Sequence, residues 1–452
     1  VQDALSDLQG ELQRREEILF AELSQLYAQA QDLSQILNAA ERPLRILIAA
    51  PIVSAYQQFC ARDMDAAFNQ LGVDASTYLV GATQCWLHDF AQHLTQLRPD
   101  GVLIFSKHRG SIPGLPHTLP LIVWDQDYAV ASDKQVVRRL GPRDRLFTLL
   151  AEWTGEAIDR GIPAKRTEHL NLGANTAVFT PPEWSCQEAL SLDSGNSTGR
   201  SPVYSQRECD HDILFVGNIH PLSQYRKMID LDAWPDSAQR IMLEARIRLL
   251  TWLLERDETE PFVIPDMEPL LEAAAEEIEL KLPEEPKKRL AIVNYFRYRI
   301  AHYVVRQAFI ESLSEFRLGL YGTGWEHFSR VAHLARPPIE NGQPMLEVMH
   351  RSSIQLQLHT WTVHHPRLYD TASAGGFLLV GRVDELHPLE RAFTPGEHLD
   401  TFGSIAELHT KIRHYLDHPE DRERMARNAA EHTAQHHTMN HRVQELLEHL
   451  QR

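Results

Sequence analysis

The spacing of hydrophobic positions changes several times along the chain, and each spacing predicts a different element. Within residues 1–41, leucine recurs every seven positions, at Leu5, Leu12, Leu19, Leu26 and Leu33. The positions three residues further on are apolar only at the two ends of this stretch. The pattern predicts one helix that carries half of a coiled-coil seam. This helix either lies on the body of its own chain or joins the protein to a second copy or another partner.

Short apolar runs alternate with amphipathic stretches over residues 42–178. The runs predict strands at 44–50, 73–80, 101–105, 119–124, 146–150 and 166–170. The stretches between them predict helices at 57–70, at 84–97 and from about 154. Such alternation is typical of a doubly wound parallel sheet, which binds ligands at the carboxyl ends of its strands.

The alternation stops at residues 179–211, where two prolines and a run rich in Ser, Gly and Asn predict a linker and a surface loop. It resumes over 212–435, with predicted strands at 213–216, 317–321, 354–358 and 377–380 and helices at 238–255, 289–313 and 367–374. An acidic stretch at about 256–288 predicts a helical insertion, and residues 436–452 a terminal helix. The sequence therefore predicts an α/β protein with two Rossmann-like domains that face a cleft.

Charge and cysteine content exclude some classes of partner. Lys and Arg total 45 and Asp and Glu total 62, for a formal net charge of −17. This balance argues against a broad surface for nucleic acid or anionic membrane. No apolar run is long enough for a transmembrane helix, and the four cysteines lack zinc-site spacing. We expect a cytoplasmic protein with reduced thiols and no bound metal.

The segment 366–376 carries the strongest candidate chemistry. Pro366 suits a first helical turn, whose N–H groups favour a phosphate, and Arg367 adds a forked donor. Asp370 follows one turn later, where its carboxylate is suited to a ribose. Gly375 and Gly376 predict a helix end that a ligand approaches closely. The alternative is a solvated Arg–Asp pair followed by an ordinary helix stop.

Two glycine-containing strand ends lie in the same predicted domain. One is Gly217-Asn218, with Arg226 shortly after it, and the other is Tyr321-Gly322-Thr323. Glycine at a strand end permits close approach of a ligand to the backbone. Since these strand ends and the 366–376 helix belong to one sheet edge, we expect a nucleoside-diphosphate site there. His365 directly precedes the helix and is expected to contact phosphate or sugar.

These segments resemble the CgeB-type glycosyltransferases, which are group 1-like members of the GT-B superfamily. The resemblance rests on PRLYDTASAGGFLL at 366–379, FTPGE at 393–397, ELHTKIRHYL at 407–416, HTMNHR at 437–442, FVGN at 215–218, YGTGW at 321–325 and LNLGANTAVF at 170–179. The family usually has Glu where this chain has Asp370.

The resemblance implies transfer of a sugar from a nucleotide-diphosphate sugar to a glycan, protein or small-molecule acceptor, without a metal or other cofactor. It implies that Arg226 and Arg367 hold the diphosphate, that Asp370 holds the ribose, and that residues 321–323 flank the base or ribose. The remaining donor-site candidates are Gly217, Asn218, His365, Leu368, Gly375 and Gly376.

An inverting reaction also needs a base on the acceptor side. The candidates, in order, are Asp127, Asp125 and His108, because they follow neighbouring predicted strands of the first domain. For each aspartate the alternative is turn chemistry at a strand end. Two other functions stay open: a nucleotide-sugar epimerase, and a non-catalytic binding or scaffold module that works through the N-terminal helix and the acidic insertion.

Overall fold

The computed structural model describes residues 2–452 except 53, 82, 84, 128, 132–134, 183–208, 221–230, 256–266, 360–363 and 383–388. Its contacts divide the chain into two units, one of residues 1–173 with 437–452 and one of residues 174–436. Most of the predicted linker lies outside the described residues. Among the described residues, no helix has the length and apolar character needed to span a membrane.

The first unit contains a parallel six-stranded sheet in the order β2-β1-β3-β4-β5-β6. Its strands, from β1 to β6, are Arg45–Pro51, Asp74–Val80, Gly101–Phe105, Leu121–Asp125, Arg145–Thr148 and Thr167–His169. Strands β3 and β4 are buried at every position, which is why they appear in the sequence as continuous apolar runs. Since the strand order reverses beside β1, the switch point of this sheet lies between the carboxyl ends of β1 and β3.

The last helix of the chain belongs to the first unit. Its buried Arg442 donates from Nε to the carbonyl oxygen of Leu172 over 2.8 Å, and Val443 and Leu446 are fully buried. The helices described in this unit are Gln2–Leu26, Leu33–Ala39, Ala55–Gln70, Trp86–Leu97, Val136–Arg139, Ala151–Asp159 and Met439–Gln451. The chain thus returns to its first unit after completing the second.

The N-terminal segment forms two helices rather than the single predicted one. Asp32 is the N-cap of the second helix and forms a capping box with Gln35, so a new helix begins at this point of the leucine repeat. Phe20, Leu23 and Tyr27 are buried, whereas Leu26 of the leucine heptad is 38% exposed. The first helix therefore packs on its own unit through a face other than the heptad face, and self-association remains a prediction.

The second unit contains another parallel six-stranded sheet, in the order β12-β11-β10-β7-β8-β9. Its strands, from β7 to β12, are His211–Val216, Leu318–Tyr321, Ala335–Arg336, Ser352–Gln357, Leu378–Gly381 and Asp400–Phe402. The strand order reverses beside β7, so the switch point lies between the carboxyl ends of β7 and β10. The two sheets confirm the predicted α/β class with two doubly wound domains.

Helices cover this second sheet. Those described are Asp236–Glu255, Met267–Glu277, Pro286–Tyr295, His302–Ser312, Gln343–His350, Pro366–Ser373, Ile405–Asp417 and Pro419–His436. The predicted helix at 289–313 is continuous, but a π-helical segment, Phe296–Ala301, interrupts its α-helical geometry. Within the acidic insertion, the helix Met267–Glu277 buries Met267 and Leu271 in the core of the unit.

Candidate functional site

The switch point of the second sheet brings together residues from four parts of the chain. Gly217 and Asn218 follow β7, and His359 comes shortly after β10. Arg306 reaches this edge from the helix His302–Ser312, and Arg367 from the first turn of the helix Pro366–Ser373. Carboxyl ends of strands at a switch point are where open α/β sheets bind ligands.

Two arginines supply the positive charge of this edge. Arg306 is buried, donates from Nη1 to the carbonyl oxygen of Asn218 over 2.6 Å, and lies over the ring of Phe215 at 5.6 Å. Burial, together with the charge of Arg367, lowers the pKa of Arg306 to about 10. Burial also lowers the pKa of Arg367 to about 10, against the attraction of Asp370. Two cations that repel each other in a poorly hydrated place form a site for an anion.

Three histidines complete this edge. The rings of His359 and His365 stack at 4.4 Å, and His302 stacks on His359 at 6.1 Å. Burial holds the pKa of each ring well below its usual range, and the charges of the two arginines lower those of His359 and His365 further. The rings are therefore neutral at neutral pH when no anion is bound.

The helix that begins at Pro366 uses its own backbone donors. The N–H of Arg367 donates to Nδ1 of His365 over 3.2 Å, and the N–H of Leu368 donates to the carbonyl oxygen of His365 over 2.9 Å. Pro366 has no N–H, and the side chain of Leu368 is fully buried. The N–H groups of Arg367 and Leu368 are thus engaged within the chain, and the phosphate contact at this turn and the ligand contact of Leu368 stay predictions.

The two glycine loops hold each other in place. The N–H of Thr323 donates to Oδ1 of Asn218 over 3.0 Å. A Cβ on Gly322, whose φ is +142°, would lie 2.3 Å from the carbonyl oxygen of Gly217. Packing between the loops thus requires glycine at position 322. Asn218 is exposed at the switch point. The ring of Tyr321 packs instead under Arg336 at 5.6 Å.

Gly375 and Gly376 lie at the end of the helix that begins at Pro366. They follow the far end of an eight-residue helix, about 12 Å from its first turn at 1.5 Å per residue, at the amino end of β11. Gly375 has φ +68°, and the N–H of Gly376 donates to the carbonyl oxygen of Thr371 over 3.0 Å. The two glycines end the helix as predicted, and their close approach to a ligand stays a prediction. Arg226, the other predicted diphosphate cation, lies outside the described residues.

On the first sheet, the structure separates the two candidate aspartates. Asp125 is fully buried, and its carboxylate accepts the N–H groups of Ala129, Val130 and Ala131 over 2.7–3.0 Å. Burial raises the pKa of Asp125, and these three hydrogen bonds oppose that effect. Asp125 therefore shapes the loop after β4, which favours the turn role over the role of a base, and its role as a base stays a prediction.

Asp127 and His108 remain candidate bases at the carboxyl edge of the first sheet. The carboxylate of Asp127 is exposed and accepts a hydrogen bond from Nε2 of Gln57 over 3.0 Å. His108 is half-buried, and its Nε2 lies 3.0 Å from Nη1 of Arg139. Since that nitrogen faces Arg139 whereas the Asp127 carboxylate is exposed, Asp127 is the better-placed candidate.

One part of the chain is similar to a known family of proteins. Residues 299–448 match a family model described as glycosyl transferase-like. This stretch includes Arg306, His359 and Arg367, so the C-terminal part of the chain is glycosyltransferase-like, as the sequence resemblance predicted. No curated protein matches the sequence.

Three solved structures share the general chain path. A sucrose-phosphate synthase from Thermosynechococcus elongatus has a TM-score of 0.46 and 10% identity, covering 89% of this chain and 97% of its own. A glycosyltransferase from Rickettsia africae has a TM-score of 0.45 and 9% identity, covering 90% and 97%. Anabaena Alr3699/HepE, solved with UDP and glucose, has a TM-score of 0.44 and 11% identity, covering 90% and 98%. At these scores the three structures assign no role to any residue of this chain.

Proposed function

We propose that the protein is a cytoplasmic glycosyltransferase of the GT-B, CgeB-type branch that moves a sugar from a nucleotide-diphosphate sugar to an acceptor hydroxyl. The observation that carries the proposal is the Arg306–Arg367 pair at the switch point of the second sheet. Two neighbouring arginines with lowered pKa values are costly in the unliganded protein. A bound diphosphate would offset that cost by placing negative charge between them.

The arginine pair also supports metal independence. When the bond between the sugar C1 and the phosphate oxygen breaks, the electron pair stays on the leaving diphosphate. Fixed guanidinium groups stabilise this developing charge, which is the task that a divalent cation performs elsewhere. Exposed Asn218 and half-buried Asp370 lie at the same edge and are proposed to contact the ribose or sugar.

On the acceptor side we assign the base to Asp127. The acceptor oxygen forms its bond to C1 while its proton passes to the Asp127 carboxylate. The acceptor is a glycan, a protein side chain or a small molecule. The leucine heptad of the N-terminal helix is proposed as a contact with a second copy or another protein.

Thermal unfolding with UDP, GDP, dTDP, CDP and ADP, each with and without EDTA, tests this function. A ligand at 100 times its dissociation constant stabilises a protein by about 2.7 kcal/mol, which is readily detected. We expect a shift with at least one nucleotide, unchanged by EDTA and lost in Arg367→Gln. The control is Arg413→Gln, which removes an exposed arginine paired with Glu315. No shift with any nucleotide would contradict the proposal and favour the scaffold alternative.

A further inference from the structure

His359 lies at the carboxyl edge of the second sheet, where the charges of Arg306 and Arg367 both act on its ring. Its ring stacks on His365 at 4.4 Å with an interplanar angle of 26°, and on His302 at 6.1 Å with an angle of 24°. The helix His302–Ser312 turns His302 and Arg306 toward it, with Tyr303 in ring contact with His302 at 5.2 Å.

The helix that begins at Pro366 adds His365 and Arg367 to the surroundings of His359. Asp370, whose charge acts on Arg367, is a carboxylate on the same helix. Positive groups thus dominate the surroundings of His359, and a bound anion would reverse that balance.

Of the stacked rings of His359 and His365, that of His359 can take up a proton without the loss of a helix cap. Nδ1 of His365 accepts the N–H of Arg367, so a proton on that nitrogen would break the N-terminal cap of the helix. The neutral His365 therefore carries its proton on Nε2. Within the described part of the chain, no helix cap depends on His359, which follows the strand Ser352–Gln357.

We propose that His359 takes up a proton when a phosphate group binds between Arg306 and Arg367. This inference rests on the proposed function and deepens it. The terminal phosphate of a free nucleoside diphosphate carries up to two negative charges, whereas the esterified phosphate of a nucleotide sugar carries one. A histidine that becomes an imidazolium beside the phosphate therefore favours the leaving nucleotide over the donor, and favours it more as the pH falls.

Calorimetric titration with inorganic pyrophosphate and with UDP tests the proposal. Each titration is run at pH 6, 7 and 8 in buffers of different ionisation enthalpy, which gives the number of protons taken up. The wild type is compared with His359→Asn and with the control His333→Asn, which alters an exposed histidine of the same unit. The comparison with the variant removes the titration of the ligand itself.

We expect the wild type and His333→Asn to take up about half a proton more than His359→Asn. By linkage, that difference strengthens pyrophosphate binding about tenfold more between pH 8 and pH 6 than in the variant. Equal proton numbers in the wild type and His359→Asn would overturn the inference. Pyrophosphate binding with the expected uptake, but no binding of UDP or the other nucleotides, would overturn the proposed function and leave this inference standing.

A spectroscopic readout does not depend on the variant folding. In wild-type protein with 15N-labelled histidine, the ring nitrogens of His359 should move to imidazolium shifts on addition of pyrophosphate at pH 6.5. Shifts that stay those of a neutral ring at saturating pyrophosphate would also overturn the proposal.

Discussion

Replacing Arg306 with methionine should weaken ligand binding without weakening the fold. Burial lowers the pKa of Arg306 to about 10, and this decrease corresponds to about 3 kcal/mol against the charged form. Opposing this, the bond to the Asn218 carbonyl contributes about 1.5–3 kcal/mol, as expected for a charged donor. Contact with the Phe215 ring adds about 0.5–2 kcal/mol. Since these contributions largely cancel and methionine fills most of the volume, the free energy of unfolding should change by no more than about 2 kcal/mol.

Binding should respond differently. Loss of one buried charge that contacts a diphosphate costs about 2–5 kcal/mol, or at least about 30-fold in the dissociation constant. Urea unfolding and calorimetric titration with the nucleotide that stabilises the wild type most give the two quantities separately.

Arg109→Met is the matched control. Arg109 is also buried, but it pairs with Asp144 over 2.5 Å and donates to two backbone carbonyls. Its loss should cost about 3–5 kcal/mol of stability because Asp144 is left buried without its cation. If Arg306→Met instead lost more than about 2 kcal/mol and kept its affinity, Arg306 would be a structural residue and the anion-site argument would fail.

Three further predictions follow from the described contacts. Asp125→Asn should lower the free energy of unfolding by about 1–3 kcal/mol, because a neutral amide replaces a carboxylate that accepts three N–H groups. Asp127→Asn should change the free energy of unfolding by no more than about 0.5 kcal/mol and lower turnover by about 10²–10⁴-fold. Equal effects of the two substitutions in urea melts and turnover assays would refute this distinction. Gly324→Ala should cost more than about 2 kcal/mol in the same melts, since its Cβ would lie 1.8 Å from the carbonyl oxygen of Ile219 at φ +92°, and an unchanged melt would show that the loop gives way. The free energy of unfolding should fall as the pH drops below 6.5, because His302, His359 and His365 have lowered pKa values and the unfolded chain therefore binds more protons. Each histidine contributes a slope of up to about 1.4 kcal/mol per pH unit. Urea midpoints that stay constant from pH 7 to pH 5 would contradict this prediction.

Long apolar patterns predict this fold well, and very short elements are missed. The alternation of apolar runs and amphipathic stretches is sufficient for ten of the twelve strands, with boundaries that shift by one or two residues. The two missed strands, Ala335–Arg336 and Asp400–Phe402, are short edge strands of the second sheet that stand in no apolar run of the sequence. They form because neighbouring strands supply their hydrogen-bond partners, and that information is not local.

The candidate site was predicted in part, and the omissions have physical causes. Arg367 and Asn218 stand beside proline or glycine, which mark helix starts and strand ends in the sequence. Arg306 sits inside a long helix, where the sequence alone does not show which face meets the sheet, and the preceding π-helical segment shifts that face. His359 carried a usable signal, since it follows a predicted strand as Gly217 does.

Residues that are neighbours in sequence are not always neighbours in space. Gly376 is nine residues from Arg367, but the helix Pro366–Ser373 lies between them. Arg367 is therefore at the carboxyl edge of the second sheet and Gly376 at the amino end of β11. His365 caps that helix through its ring, a role that Ser, Thr, Asp and Asn usually fill, so the engaged N–H group of Arg367 was not predicted.

The central claim is that the carboxyl edge of the second sheet binds a nucleoside diphosphate between Arg306 and Arg367. A crystal structure of the protein with the nucleotide that stabilises it most tests this directly. We expect diphosphate oxygens within about 3 Å of both guanidinium groups, with His359 beside the terminal phosphate. A diphosphate bound elsewhere, with neither guanidinium in contact, would contradict it.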